Sequence, residues 1–103
     1  MQLLTAELRK SLPFLGADNG DSVAYAKFFT PSGSWTWYAA EFDGDDIFYG
    51  VVDGDEIEFG TFRLSELESV RDRFGLPIER DRSFEPIRLQ QLYEELRSQR
   101  PIR

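Results

Sequence analysis

Two Asp-Gly dipeptides, Asp43-Gly44 and Asp53-Gly54, constrain this chain more than any other feature of its sequence. Asp and Gly both tolerate the left-handed backbone that tight hairpin turns require. The runs around them, Ser34–Phe42, Asp46–Val52 and Asp55–Leu64, are rich in aromatic and β-branched residues. A fourth run, Ser22–Phe29, comes before them and ends in the turn formers Pro31-Ser32-Gly33. Extended runs joined by short turns predict an antiparallel meander.

Helical spacing brackets these strands. Leu4, Leu8 and Leu12 form one apolar stripe, with Thr5 placed to cap the helix and Pro13 to stop it. After the strands, Ser65-Glu66-Leu67-Glu68 reads as a capping box. Leu64, Leu67, Val70 and Phe74 extend it as a stripe, with Gly75 and Pro77 as the stop. Ile78–Phe84 carries alternating charges and reads either as an extended segment or as a short edge strand. Pro86 suits the first turn of a last helix, whose face is Leu89, Leu92, Tyr93 and Leu96. Pro101 ends it, with Arg97, Arg100 and Arg103 near its negative end and reaching into solvent. The expected fold is α+β: an antiparallel meander of four to five strands, with a short N-terminal helix and two C-terminal helices packed on it. At 103 residues the chain is expected to be a single domain, 1–103.

The strands are not cleanly amphipathic. Alternation puts Trp35, Trp37 and Ala39 on one face of the second strand, and Thr36, Tyr38, Ala40 and Phe42 on the other. On the third, Ile47, Tyr49 and Val51 oppose Phe48 and Val52. Both faces are apolar, so either helices cover both or one face carries an exposed aromatic patch. In the second case Trp35, Trp37 and Tyr38 are the anchors for a partner.

Composition restricts the chemistry. The chain has no histidine and no cysteine. That excludes imidazole bases, thiolate nucleophiles, zinc–thiolate sites and disulfides. The formal charge is -7. It resides in eight acids between Phe28 and Phe62, with no base among them: Glu41, Asp43, Asp45, Asp46, Asp53, Asp55, Glu56 and Glu58. Four readings of these acids stay open. Glu41, Asp43 and Asp45 could make a row that mimics nucleic-acid phosphates, since same-face strand residues recur about every 6.8 Å. Asp43-x-Asp45 and Asp53-x-Asp55-Glu56 could hold a hard cation, although a calcium-loop pattern is lacking. Paired carboxylates could do acid–base work. Or the acids simply suit turns and keep strand edges from aggregating. Direct nucleic-acid binding is disfavoured by the charge. Lys27, in an apolar strand, is either a catalytic amine or an edge lysine that snorkels to solvent. Glu79-Arg80-Asp81-Arg82 reads as structural ion pairing, with Glu58 or Arg63 as candidate partners. Charges at Glu7, Arg9 and Lys10 rule out a signal-peptide core, and no run approaches the roughly 18 apolar residues of a membrane helix. A cytoplasmic protein without cofactors is expected.

Several motifs together resemble one bacterial family. They are Leu3-Leu4-Thr5, Glu7-Leu8-Arg9, Leu12-Pro13, Lys27-Phe28-Phe29-Thr30-Pro31, Trp35-Thr36-Trp37-Tyr38 with Glu41, and Tyr49-Gly50-Val51-Val52. Ser65-Glu66-Leu67, Gly75-Leu76-Pro77-Ile78-Glu79-Arg80-Asp81 and Phe84-Glu85-Pro86 complete the set, which spans nearly the whole chain. The family is the one catalogued as domain of unknown function 2958. Gly60-Thr61-Phe62-Arg63 departs from its pattern, where an aromatic and a serine are more usual. The resemblance implies a small protein often carried on plasmids and integrative elements, with no agreed activity and no catalytic residues. The resulting expectation is a non-enzymatic protein-binding module of a mobile element, an acidic inhibitor or mimic that meets a basic surface on a host defence or nucleic-acid-handling complex. The rival expectations are a carboxylate-based metal-dependent enzyme and a regulatory or oligomeric subunit.

Overall fold

The computed structural model describes residues 2–17 and 22–100. Residues 18–21 and 101–103, which include Arg103 and Pro101, lie outside the described residues. The first helix, α1 (Ala6–Ser11), begins where Thr5 accepts the Leu8 amide on its hydroxyl at 3.2 Å. The first predicted strand is split at Tyr25 into β1 (Val23–Ala24) and β2 (Ala26–Phe29). The meander follows as β3 (Thr36–Phe42), β4 (Ile47–Asp53) and β5 (Ile57–Arg63). Then come α2 (Leu64–Ser69), β6 (Glu79–Arg80), β7 (Ile87–Arg88) and α3 (Leu89–Gln99). The main sheet is antiparallel with strand order β5-β4-β3-β2-β6, and β1 pairs with β7 in a small second sheet. The fold is α+β, as expected, and the ambiguous charged segment supplies the edge strand β6.

Both sheet faces are covered. One carries Ala26, Phe28, Trp37, Phe42, Phe48 and Phe62 beneath Leu3, Leu4, Leu12 and Leu67, from the N-terminal segment and α2. The other carries Tyr38, Ala40 and Val51 beneath Leu89 and Leu92 of α3. Phe48 is fully buried and is the hub of the first core, its ring 4.7 Å from Phe42, 5.3 Å from Phe62 and 5.7 Å from Phe28.

Simple alternation put Phe42 on the Tyr38 face, and the structure puts it on the Trp37 face. The pairing between β3 and β4 shifts between Ala39 and Glu41, leaving Ala40 as an extra residue. Such a bulge flips the side-chain parity of everything beyond it. Gly50 sits opposite Ala39, and a Cβ there would fall 1.8 Å from the Tyr38 carbonyl oxygen. The bulged strand therefore depends on glycine at that position.

Three helix expectations also change. The Ser65–Glu68 capping box does not form. Asp46 instead accepts the Ser65 amide at 2.8 Å and the Ser65 hydroxyl at 2.7 Å, so the cap comes from the far end of a neighbouring hairpin. α2 stops at Ser69 rather than running to Phe74. Asp72 accepts the Phe74 and Leu76 amides at 2.9 Å and the Ser32 amide at 3.1 Å, which bends the chain into a turn with Gly75 at φ +77°. Phe74 is consequently exposed. Pro86 precedes β7 rather than opening α3, which starts three residues later. No helix among the described residues is long and apolar enough to cross a membrane.

Candidate functional site: an acidic, aromatic hairpin tip

The eight acids do not form one surface. Glu41 is buried, at 3% exposure, and accepts the Gly16 amide at 2.8 Å and the Ser22 hydroxyl at 3.4 Å. Asp43 lies beyond the end of β3 and accepts three amides, those of Asp45, Asp46 and Ile47. These bonds hold its carboxyl below the ordinary value, the Ile47 amide first. Asp46 is likewise lowered, chiefly by the Ser65 hydroxyl and amide, and Arg63 stands 3.6 Å away. Asp53 pairs with Arg100. The row Glu41, Asp43, Asp45 proposed as a phosphate mimic is therefore not on the surface as a row. Its first member is internal and its second is consumed by a turn. Among the described residues, no three acids converge as metal ligands would.

Four of the acids are exposed and make no ion pair or side-chain hydrogen bond with a described residue: Asp45, Asp55, Glu56 and Glu58. Asp45 belongs to the β3–β4 turn. The other three belong to the β4–β5 turn and the start of β5, at the opposite end of β4 and about 20 Å away at ordinary strand rise.

The aromatic anchors sort the same way. Trp37 and Tyr38 are buried, at 8% and 5% exposure, one in each core. They cannot present a docking surface in this fold, because α1, α2 and α3 cover the faces they occupy. Trp35, at 37% exposure, is the accessible one. Its ring stacks on Trp37 at 5.9 Å and lies over Gly54, where an added Cβ would meet the indole at 2.2 Å. Glu58 pairs with Val52, and Val52 pairs with Trp37, so Glu58 shares the tryptophan face. Trp35, Asp55, Glu56 and Glu58 thus meet at one tip.

Arg100 holds that tip in place. Its guanidinium donates to the Gly54 carbonyl at 2.7 Å, to the Asp55 carbonyl at 2.8 Å and to the Asp53 carboxylate. Helix spacing predicted a solvent-directed arginine, and nothing in its neighbourhood signals a partner some 45 residues earlier. Arg80 also departs from expectation. It donates to the Gln2 and Leu3 carbonyls at 2.9 and 3.0 Å, tying down the N-terminus rather than pairing with Glu58. Arg63 stands against Asp46, within hydrogen-bonding neighbourhood of the α2 cap.

Lys27 is half-buried on β2, which lies between β3 and the edge strand β6 rather than at the edge, and its ammonium is 5.9 Å from the Tyr38 ring centroid. Burial, with Asp53 and Asp81 adding negative potential, pushes the Tyr38 phenol up to about 12. The pair lines an open groove with Phe84, Glu85, Pro86 and Glu95.

The architecture is thus an α+β domain whose sheet is sandwiched between helices and which displays one braced, acidic hairpin tip beside an exposed tryptophan. The family model described as a protein of unknown function (DUF2958) matches residues 2–100, and the chain belongs to that family. Searches of curated proteins and of solved structures gave no match.

Proposed function

We propose that this protein is a non-enzymatic binding module that engages a basic protein surface through the β4–β5 tip. The observation that supports this reading is the meeting of Trp35 with Asp55, Glu56 and Glu58, exposed and without a side-chain partner among the described residues, on a turn held by Arg100. A partly exposed indole supplies contact area at low entropic cost, and a braced turn need not be ordered on binding. The acids speed association with a basic patch and make it sensitive to salt. A host defence or nucleic-acid-handling complex offers such patches, and carriage of the chain on a mobile element is part of this proposal.

Trp35 belongs to this tip and the chain's other tryptophan, Trp37, stacks on it from the core, so intrinsic fluorescence reports on the tip. Affinity capture from host lysate at low and high salt, comparing the natural chain with Asp55→Lys/Glu56→Lys/Glu58→Lys, is the test. The expected outcome is a partner lost at high salt, lost with the charge-reversed chain, and able to shift tryptophan emission when purified. Capture indifferent to both salt and charge reversal rejects the proposal.

A further inference from the structure

β5 is an edge strand seven residues long, and among the described residues its only strand neighbour is β4. Edge strands of this length are usually blunted by a proline, a bulge, charged side chains or a covering segment, and the exposed charges of β5, Glu58 and Arg63, are of opposite sign near its two ends. β5 has no proline, and its register with β4 is regular from end to end. Glu58, Phe59, Thr61 and Arg63 are all exposed.

The direction of its backbone groups follows from the register. The Leu64 amide bonds the Asp46 carbonyl at 2.8 Å, and the Gly54 amide bonds the Glu56 carbonyl at 3.1 Å. Hydrogen-bonded pairs alternate along an antiparallel ladder. Glu58, Gly60 and Phe62 therefore point their backbone groups at β4, while Ile57, Phe59, Thr61 and Arg63 point theirs outward.

We propose that β5 pairs with β5 of a second copy of this chain, antiparallel, about a two-fold axis at Gly60. In that register Phe59 and Thr61 of one protomer form a hydrogen-bonded pair with Thr61 and Phe59 of the other, and Ile57 does so with Arg63. All four outward residues find partners on each side. No like charges stand directly opposite. The acidic end of one strand, at Asp55, lies diagonal to Arg63 of the partner protomer, within reach of a long side chain. Phe59, at 40% exposure and already stacked on Tyr93 at 4.5 Å, lies diagonal to its own copy across the axis. Gly60 faces Gly60 in a non-hydrogen-bonded pair, with nothing within 4 Å of the place a Cβ would take. The opposed charges at the two ends of the strand and the exposed aromatic therefore fit this strand to itself, with Asp55 shared between the seam and the β4–β5 tip.

Sedimentation equilibrium over a concentration series, on the intact chain, is the first measurement. A monomer–dimer equilibrium is expected, and Phe59→Lys weakens it about tenfold or more by setting lysine near lysine across the axis. The register is then tested by cross-linking. The chain has no cysteine, so Gly60→Cys introduces a single thiol. The facing Cα atoms of a non-hydrogen-bonded pair stand about 4.5 Å apart, inside the disulfide range. Oxidation should convert Gly60→Cys to a covalent dimer, while Thr61→Cys, whose copies are only diagonal, should lag well behind. Circular dichroism confirms that each variant is folded. A monomer at all concentrations overturns the proposal, as does a dimer in which Thr61→Cys cross-links as fast as Gly60→Cys. Amide exchange at Phe59 and Thr61 that slows only when a lysine-rich peptide is added would assign the edge to a foreign strand and overturn it equally.

Discussion

Several acids in this protein act as acceptors for backbone amides. Asp43, Asp46 and Asp72 each gather two or more backbone amides or hydroxyls, and each is held below its ordinary value. A carboxyl lowered by folding adds stability above its unfolded value, and that stability is lost as pH falls through the acid range. The opposite sign holds for Tyr38. Its phenol is raised to about 12, so the folded state keeps a proton that the unfolded chain loses above about 10. Its contribution is complete below pH 10 and disappears as pH rises to 12. Urea unfolding followed between pH 9 and 12 should show a steep alkaline decline that is shallower in Tyr38→Phe. Equal slopes would assign the decline to other groups. The residue types foretold that these turns would be acidic. They did not reveal which acids were already spent, because Glu41 meets Gly16 and Ser22 only after distant segments pack together.

At the scale of elements, both Asp-Gly hairpins were legible, because each is flanked by strands that can pair immediately, although only Gly44 takes the left-handed backbone, at φ +89°, and Gly54 does not. Their bracing was not legible. Arg9 of α1 donates to the Gly44 carbonyl at 2.7 Å, and Arg100 holds the Gly54 and Asp55 carbonyls. Each turn of the meander is thus secured by an arginine from a helix or its end, one from each side of the sheet. Apolar spacing alone runs on through Val70 to Phe74 and so overstates the length of α2. Asp72 wins locally by offering its carboxylate to amides that a helix would have used elsewhere. The bulge in β3 was invisible for a related reason: nothing in Ala39-Ala40-Glu41 marks an extra residue, and the signal lies in Gly50 on the next strand. Gly50→Ala should cost about 3 kcal/mol or more, at the upper end of overpacking penalties, since a rigid carbonyl rather than a side chain must yield. Chemical denaturation measures it. A loss comparable to an ordinary Gly-to-Ala change in a strand would show that the bulge tolerates a side chain.

For the whole molecule, one sheet separates two cores of unequal aromatic content. The core under α1 and α2 is built on Phe28, Phe42, Phe48 and Phe62, while the core under α3 is built on Tyr38, Val51, Leu89 and Leu92. Phe48→Ala removes the hub of the first and should destabilise the protein by about 3–5 kcal/mol in thermal or urea unfolding. A cost below about 1 kcal/mol would mean that the neighbouring rings collapse into the space. The sequence by itself determined the α+β class, the order of helices and strands, the meander and its two turns, because these rest on local preference and on the period of apolar residues. It also determined which chemistries are excluded, through the absence of histidine and cysteine. Only the tertiary structure decided which faces are covered, that Trp37 and Tyr38 are core residues while Trp35 is accessible, and that Asp55, Glu56 and Glu58 gather at one tip without a side-chain partner among the described residues. Those outcomes depend on residues far apart in the chain, and periodicity within an element carries no information about what comes to lie across from it.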